Sequence, residues 1–171
     1  MTAPPLLFGV DLVDVARVTR AMSYSGPAYT RHVTSPGERD LHADPGLATA
    51  ATVAVKECLV KAVGGRPPGF SWHDFEACGE ASPHGAEWAE PLLDAAVPEV
   101  EAATRVAMTE RCAYTVFGAS GSAALARLAE RSADPGDDVA VVGLARWGFR
   151  GDLIVALAIL ITMPRGALRC P

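Results

Sequence analysis

The sequence predicts a single α+β domain, and three observations carry that reading. Residues 46–63 bear the signals of one long helix, apolar strand-like runs lie near both ends of the chain at 6–12 and 153–161, and the elements between them follow a mixed order, not a regular βαβ alternation. A chain of 171 residues has room for one core, so residues 1–171 are read as one domain. With 50% hydrophobic and 20% charged residues, the composition excludes a disordered chain. Fifteen Lys and Arg stand against twenty Asp and Glu, a net charge of −5. The broad basic surface of a nucleic-acid or anionic-membrane binder is therefore missing, and any basic site is local.

The elements follow in order. Residues 6–12 combine apolar side chains with Gly9 and a single carboxylate, which places Asp11 at or near the end of a buried strand. From 13 to 22, Val15, Val18 and Met22 recur at helical spacing while Asp14, Arg17 and Arg20 take other faces, the pattern of a short amphipathic helix. Residues 23–27 read as a turn, and Thr34-Ser-Pro-Gly-Glu38 opens another short helix reaching about His42. Asp44 and Pro45 then supply an N-cap and first-turn proline for the helix over 46–63, which Gly64-Gly65 stops. Its small residues Ala51, Ala54, Cys58 and Ala62 form a stripe suited to close packing.

Beyond the rigid Arg66-Pro-Pro-Gly69 loop, residues 70–78 alternate imperfectly and predict a strand. Residues 79–98 are rich in Gly, Pro, Ala and acid without strong periodicity, and a helix is predicted at 99–110; together 79–111 read as an insertion. Strand at 114–117, helix at 123–129, and closing strands at 138–142 and 153–161 complete the chain. That last apolar run is far short of the roughly 20 residues of a membrane helix, and the first seven residues carry no basic region of an export signal. Cys58, Cys78, Cys112 and Cys170 include no CxxC pair, which favours reduced thiols in cytoplasm. The histidines, His32, His42, His73 and His84, lack metal-ligand spacing.

Two constellations bear on chemistry. Gly118-Ala-Ser-Gly-Ser122 sits between a strand and a helix, but without a Walker lysine or a dinucleotide fingerprint it reads as a turn with an N-cap, and its spacing is not that of a serine-hydrolase elbow. The second joins Asp11 to Glu57 and Lys61. Every basic residue is Arg except Lys56 and Lys61, which flank Glu57, and Glu57 and Lys61 share a helix face. Two hard-oxygen ligands suit Mg²⁺, which completes its shell with water and substrate phosphate, and a nearby ammonium neutralises further phosphate charge. The plainer alternative is a strand-end Asp and an i,i+4 Glu–Lys pair worth a few tenths of a kcal/mol.

The wording around these residues resembles the small holo-acyl-carrier-protein synthases of the 4′-phosphopantetheinyl transferase family. The resemblance lies in Phe8-Gly-Val-Asp-Leu-Val-Asp-Val-Ala-Arg-Val18, Arg31-His-Val-Thr34 with Glu38, Val55-Lys-Glu-Cys-Leu-Val-Lys-Ala-Val-Gly64 and Gly69-Phe-Ser-Trp-His-Asp-Phe-Glu76. It covers about 6–78 well and resumes loosely at 114–131 and 153–161. The resemblance implies an antiparallel sheet packed against a long helix, with an insertion after the Trp-containing strand. It implies transfer of 4′-phosphopantetheine from coenzyme A to a serine of an apo acyl or polyketide carrier protein, releasing adenosine 3′,5′-bisphosphate. Asp11 and Glu57 would hold Mg²⁺, with Glu57 also activating the serine; Lys61, with Lys56, would bind coenzyme A. Arg17 and Arg20 would dock the acidic carrier, and a homotrimer with sites between subunits is implied. Two positions depart from the pattern. Thr52 stands where an Arg is common, and Leu144-Ala-Arg146 where a Ser-His pair is common. The alternative these departures motivate is a catalytically silent, carrier-binding relative. The extra length at 79–111 is open to three readings: a lid, a partner-selecting element, or a cover for an exposed sheet.

Overall fold

The computed structural model of the protein describes residues 4–79, 83–131 and 138–167. Its strands are β1 (Leu7–Asp14), β2 (Phe75–Gly79), β3 (Glu110–Val116), β4 (Val139–Arg150) and β5 (Leu153–Pro164). They form one antiparallel sheet in the order β1-β5-β4-β3-β2, with β1 and β2 at the edges. The helices are α1 (Val15–Ser25), α2 (Pro27–Val33), α3 (Pro45–Val63), α4 (Glu90–Thr104) and α5 (Gly118–Ala129).

Helix α3 is the spine of one layer. Asp44 caps it by accepting from the Leu47 backbone N–H at 2.8 Å, and Gly64, at φ 100°, ends it in the left-handed conformation that favours glycine. The small-residue stripe does what its spacing predicts: Ala51, Ala54, Cys58 and Ala62 are all buried. It lets β1 come so near that a Cβ on Gly9 would lie 2.0 Å from the Cys58 carbonyl oxygen. Because side chains alternate along a strand, Leu7 and Val13 of β1 and Ala156, Ala158 and Leu160 of β5 join the α3-side core. The opposite parity makes a second apolar face.

That second face is covered by the insertion. Ala86, Ala89 and Leu93, with Val106 and Met108, pack on Val142 and Leu144 of β4 and on Val155, Leu157, Ile159 and Ile161 of β5. The backbone of the segment lies close to β4, since a Cβ on Gly148 would meet the Ala107 carbonyl oxygen at 1.8 Å. One buried ionic anchor fixes it: the Arg146 guanidinium, 3% exposed, pairs with Glu90 and, at 2.7 Å, with Asp94 of α4. Burial lowers the pKa of Arg146 from its ordinary value. This packing is what the cover reading of the extra length expects.

Several boundaries differ from expectation, each for a local reason. The helix expected at 99–110 is α4, Glu90–Thr104, and it runs through Pro98, whose missing N–H marked an apparent start. Residues 70–74 are not strand: Ser71 and Asp74 form a reciprocal capping box on a 3₁₀ turn, so β2 begins only at Phe75. Asp14 ends β1 and caps α1, accepting from the N–H groups of Ala16 and Arg17, so α1 starts at Val15 and not at 13. Residues 27–33 form a short helix in a stretch for which no element is predicted, and the helix expected from Thr34–Glu38 to about His42 is a 3₁₀ turn at Gly37–Asp40. Helix α5 opens at Gly118, and its first turn is already satisfied by a carboxylate: Asp74 accepts from the Ser120 N–H at 3.0 Å and hydroxyl at 2.7 Å. Cys170 lies outside the described residues; Cys58 and Cys112 are buried thiols.

Candidate active site

The close approach of β1 to α3 at Gly9 sets the site's geometry. Asp11 follows two residues later on the same strand face and meets Lys61 from the last turn of α3: the Lys61 Nζ donates to Asp11 Oδ1 at 2.6 Å and to the Val10 carbonyl at 3.1 Å. The hydrogen bond to Asp11 is the main reason the Lys61 pKa is raised from its ordinary value; burial opposes it, and the charges of Asp11 and Glu57 add to it. The Lys61 side chain remains half exposed.

Glu57 lies one helical turn before Lys61, yet the two form no ion pair with each other. Glu57 Oε1 instead accepts from Arg66 Nη2 at 2.9 Å. The i,i+4 pair that would have made this face ordinary is replaced by two cross-element pairs, Asp11–Lys61 and Glu57–Arg66. Arg66 is the residue that sequence reasoning missed, because only the chain reversal at Gly64 and Gly65 brings it back along the helix. Its guanidinium stands 4.8 Å from the Trp72 ring centroid and 5.3 Å from that of Phe70.

Tyr29 of α2 is a second residue not foreseen. Its hydroxyl pKa is raised chiefly by burial, with the Arg17 charge lowering it and that of Glu57 raising it. Arg17 and Arg20 are exposed on α1.

Lys56 is corrected. Its side chain is fully buried, and Nζ donates to Glu38 Oε2 at 2.8 Å and to the Val33 carbonyl at 2.9 Å. Burial lowers its pKa and Glu38 opposes that fall. An ammonium held in this way has no face toward a surface-bound coenzyme. Of the two positions that depart from the family pattern, Thr52 is buried on α3, and Arg146 is committed to α4 on the far side of the sheet.

No cluster of three or more His, Cys, Asp or Glu side chains suited to a metal occurs among the described residues. The chemistry of the donor set nonetheless fits a magnesium ion that keeps most of its shell as water and substrate phosphate, since such a site asks the protein for one or two carboxylates. Asp11 and Glu57 are two carboxylates on packed elements, and their ion pairs engage Oδ1 of one and Oε1 of the other.

An antiparallel sheet crossed by one long helix, with acid and base brought together where edge strand meets helix, defines an α+β protein with a paired acid–base surface site. Its fold is that of solved holo-[acyl-carrier-protein] synthases. The Helicobacter pylori structure, a complex with coenzyme A, aligns over 92% of this chain and all of its own with a TM-score of 0.53 and 16% identity. The Neisseria meningitidis structure aligns over 90% and 96% with a TM-score of 0.51 and 18% identity. No family model matches the chain. Among curated relatives, the holo-[acyl-carrier-protein] synthase of Clavibacter sepedonicus is 44% identical over 77 residues, 45% of this chain and 59% of that protein. That of Clavibacter michiganensis is 46% identical over 68 residues, 40% of this chain and 53% of that protein. The chain thus spans little more than half the length of these relatives. It spans 72% of the Salmonella paratyphi B protein at 34% identity over 91 residues. The chain belongs to the holo-[acyl-carrier-protein] synthase family.

Proposed function

We propose that the protein transfers the 4′-phosphopantetheine group of coenzyme A to a serine hydroxyl of an apo acyl or polyketide carrier protein. The observation that carries the reading is the meeting of Asp11, Lys61 and Glu57, three residues from the two family motifs, at one strand–helix junction. In the reaction the serine Oγ forms a bond to the β-phosphorus of coenzyme A. The bridging P–O bond to the nucleotide breaks, adenosine 3′,5′-bisphosphate leaves, and Glu57 takes the serine proton. Asp11 and Glu57 would hold Mg²⁺, which when bound neutralises charge on the diphosphate. Asp11 also fixes the Lys61 ammonium, whose half-exposed head lends a preorganised positive charge to the same anion.

Arg17 and Arg20 serve the protein partner. On a chain of net charge −5, a local cationic flank is what steers an acidic carrier toward the site. A homotrimer, as the resemblance implies, would have to form without the sheet face that the insertion covers; the β1 edge, where Phe8 and Leu12 are exposed beside Asp11, is the surface that fits a second copy. Buried thiols at Cys58 and Cys112 suit a cytoplasmic setting. Against the rival reading, a silent carrier-binding relative motivated by Thr52 and Arg146, stands the retention of Asp11, Glu57 and Lys61.

The test is incubation with coenzyme A, Mg²⁺ and a panel of apo carrier proteins, read by intact-mass spectrometry. A carrier heavier by one phosphopantetheine is expected with wild type, and none with Asp11→Ala or Glu57→Ala of unchanged circular dichroism. Wild-type turnover in either variant would sink the assignment.

A further inference from the structure

Arg66 is held more firmly than an exposed arginine ordinarily is. Half of its side chain is exposed, yet two aromatic rings and one carboxylate fix it. The rings brace each other edge-to-face at 5.3 Å. The loop beneath is stiff: Pro67 and Pro68 lock their own φ angles, and the Phe70 N–H closes the turn on the Pro67 carbonyl at 3.0 Å. Much of the entropy that a long cation must lose to grip a ligand is therefore already lost, which is the condition for a preorganised anion contact.

Valency and charge point the same way. A guanidinium has five N–H donors in one plane, and Arg66 gives Glu57 one hydrogen bond, through Nη2. Asp11 and Glu57 carry two negative charges, Lys61 and Arg66 two positive ones, so the four side chains are neutral together. If the carboxylates hold a divalent cation, the ensemble becomes doubly positive, which matches the two negative charges of a diphosphate diester. Without Arg66 the balance falls one charge short. Lys56 cannot supply it, because its ammonium is buried against Glu38.

Neutralising Glu57 alone does not call for the ring platform. When Glu57 turns to a cation, Arg66 loses its carboxylate but keeps its place over Trp72 and Phe70. Its freed donors are then open to an anion. We infer that Arg66 is a second anchor for the diphosphate of coenzyme A, working with Lys61 across the carboxylate pair. The assignment rests on the proposed function, and its test separates the two.

The measurement is calorimetric titration, with Mg²⁺ present, of wild type, Arg66→Met and Arg66→Lys with three ligands: coenzyme A, dephospho-coenzyme A, which keeps the diphosphate but lacks the 3′-phosphate, and adenosine 3′,5′-bisphosphate, which lacks the diphosphate. Arg66→Met is expected to weaken the first two by a similar factor of about ten or more and the bisphosphate much less, with KM for coenzyme A rising more than kcat falls. Arg66→Lys keeps the charge and loses the fork, and should fall between. It decides the matter alone if the methionine variant does not fold, since unchanged affinity for both diphosphates would overturn the anchor. A loss confined to ligands bearing the 3′-phosphate overturns the diphosphate assignment. Failure of wild type to bind coenzyme A at all refutes the proposed function instead.

Discussion

Lys56 and Glu38 make the sharpest stability prediction, because both side chains are fully buried and each is the other's counter-charge. Glu38 Oε2 accepts from Lys56 and from the Ser35 N–H at 2.7 Å, and the Tyr114 hydroxyl lies against the same carboxylate. Replacing Lys56 by Met leaves a carboxylate with no cation in a site sealed from water, and breaking a buried pair from one side costs about 3–5 kcal/mol. The double variant Lys56→Met, Glu38→Gln removes both charges and should recover most of that loss. Equilibrium urea unfolding followed by circular dichroism checks both, with m expected to stay constant. A single-variant loss below about 1 kcal/mol would refute the buried-pair account, since exposed pairs are worth about that or less. Coenzyme A affinity of folded Lys56→Met should equal that of wild type. The pH signature has a fixed sign: the folded-state pKa of Lys56 lies below 10.5, so between that value and 10.5 the unfolded chain holds more protons, and this group makes stability rise with pH.

Lys61 has the opposite sign. Its folded pKa is raised above 10.5, so its contribution is complete below 10.5 and lost as pH climbs through the folded value, visible as a decline in melting temperature that Asp11→Asn removes. Lys61→Ala should slow transfer by the roughly 3 kcal/mol that one preorganised electrostatic donor supplies, measured as kcat on carrier protein; a rate within threefold of wild type would mean the lysine is only structural. Arg17→Glu with Arg20→Glu should raise the carrier KM strongly, leave coenzyme A binding by calorimetry intact and remove most of the salt dependence. The reverse pattern would place the nucleotide on α1. Gly9→Ala sets a Cβ against backbone on α3 and should cost about 1–3 kcal/mol or more while displacing Asp11, read as a lower melting temperature together with weaker coenzyme A binding.

What the sequence made legible was local. Helix α3 could be read because Asp44-Pro45 and Gly64-Gly65 mark its ends within a few residues of chain, and Asp11, Glu57 and Lys61 because each sits inside a short motif. Lys56 misled because five helical residues turn the side chain by about 140°, which sends it inward while Lys61 faces out. Arg66 and Tyr29 were invisible because their places depend on a chain reversal and on a helix at 27–33 whose only strong local signal is its opening proline. Helix α4 was displaced by nine residues in the reading because Pro98 resembles a boundary and its buried face is narrow, Leu93 being its one buried residue.

Strand β2 is short, lies at a sheet edge, shifts register between Ala77 and Gly79, and is joined to its partner β3 only through the long insertion. In the hierarchy of local openings such a strand stands near the low-stability end. Trp72 and Phe70 lie directly before it, so each excursion of β2 loosens the ring platform under Arg66 while β1, β5 and α3 stay closed. If Arg66 grips an anion, that grip and the fraying of the β2 edge are coupled through the same rings. Occupancy of the site should slow amide exchange at 75–79, nine or more residues beyond Arg66, and Arg66→Met should uncouple the two.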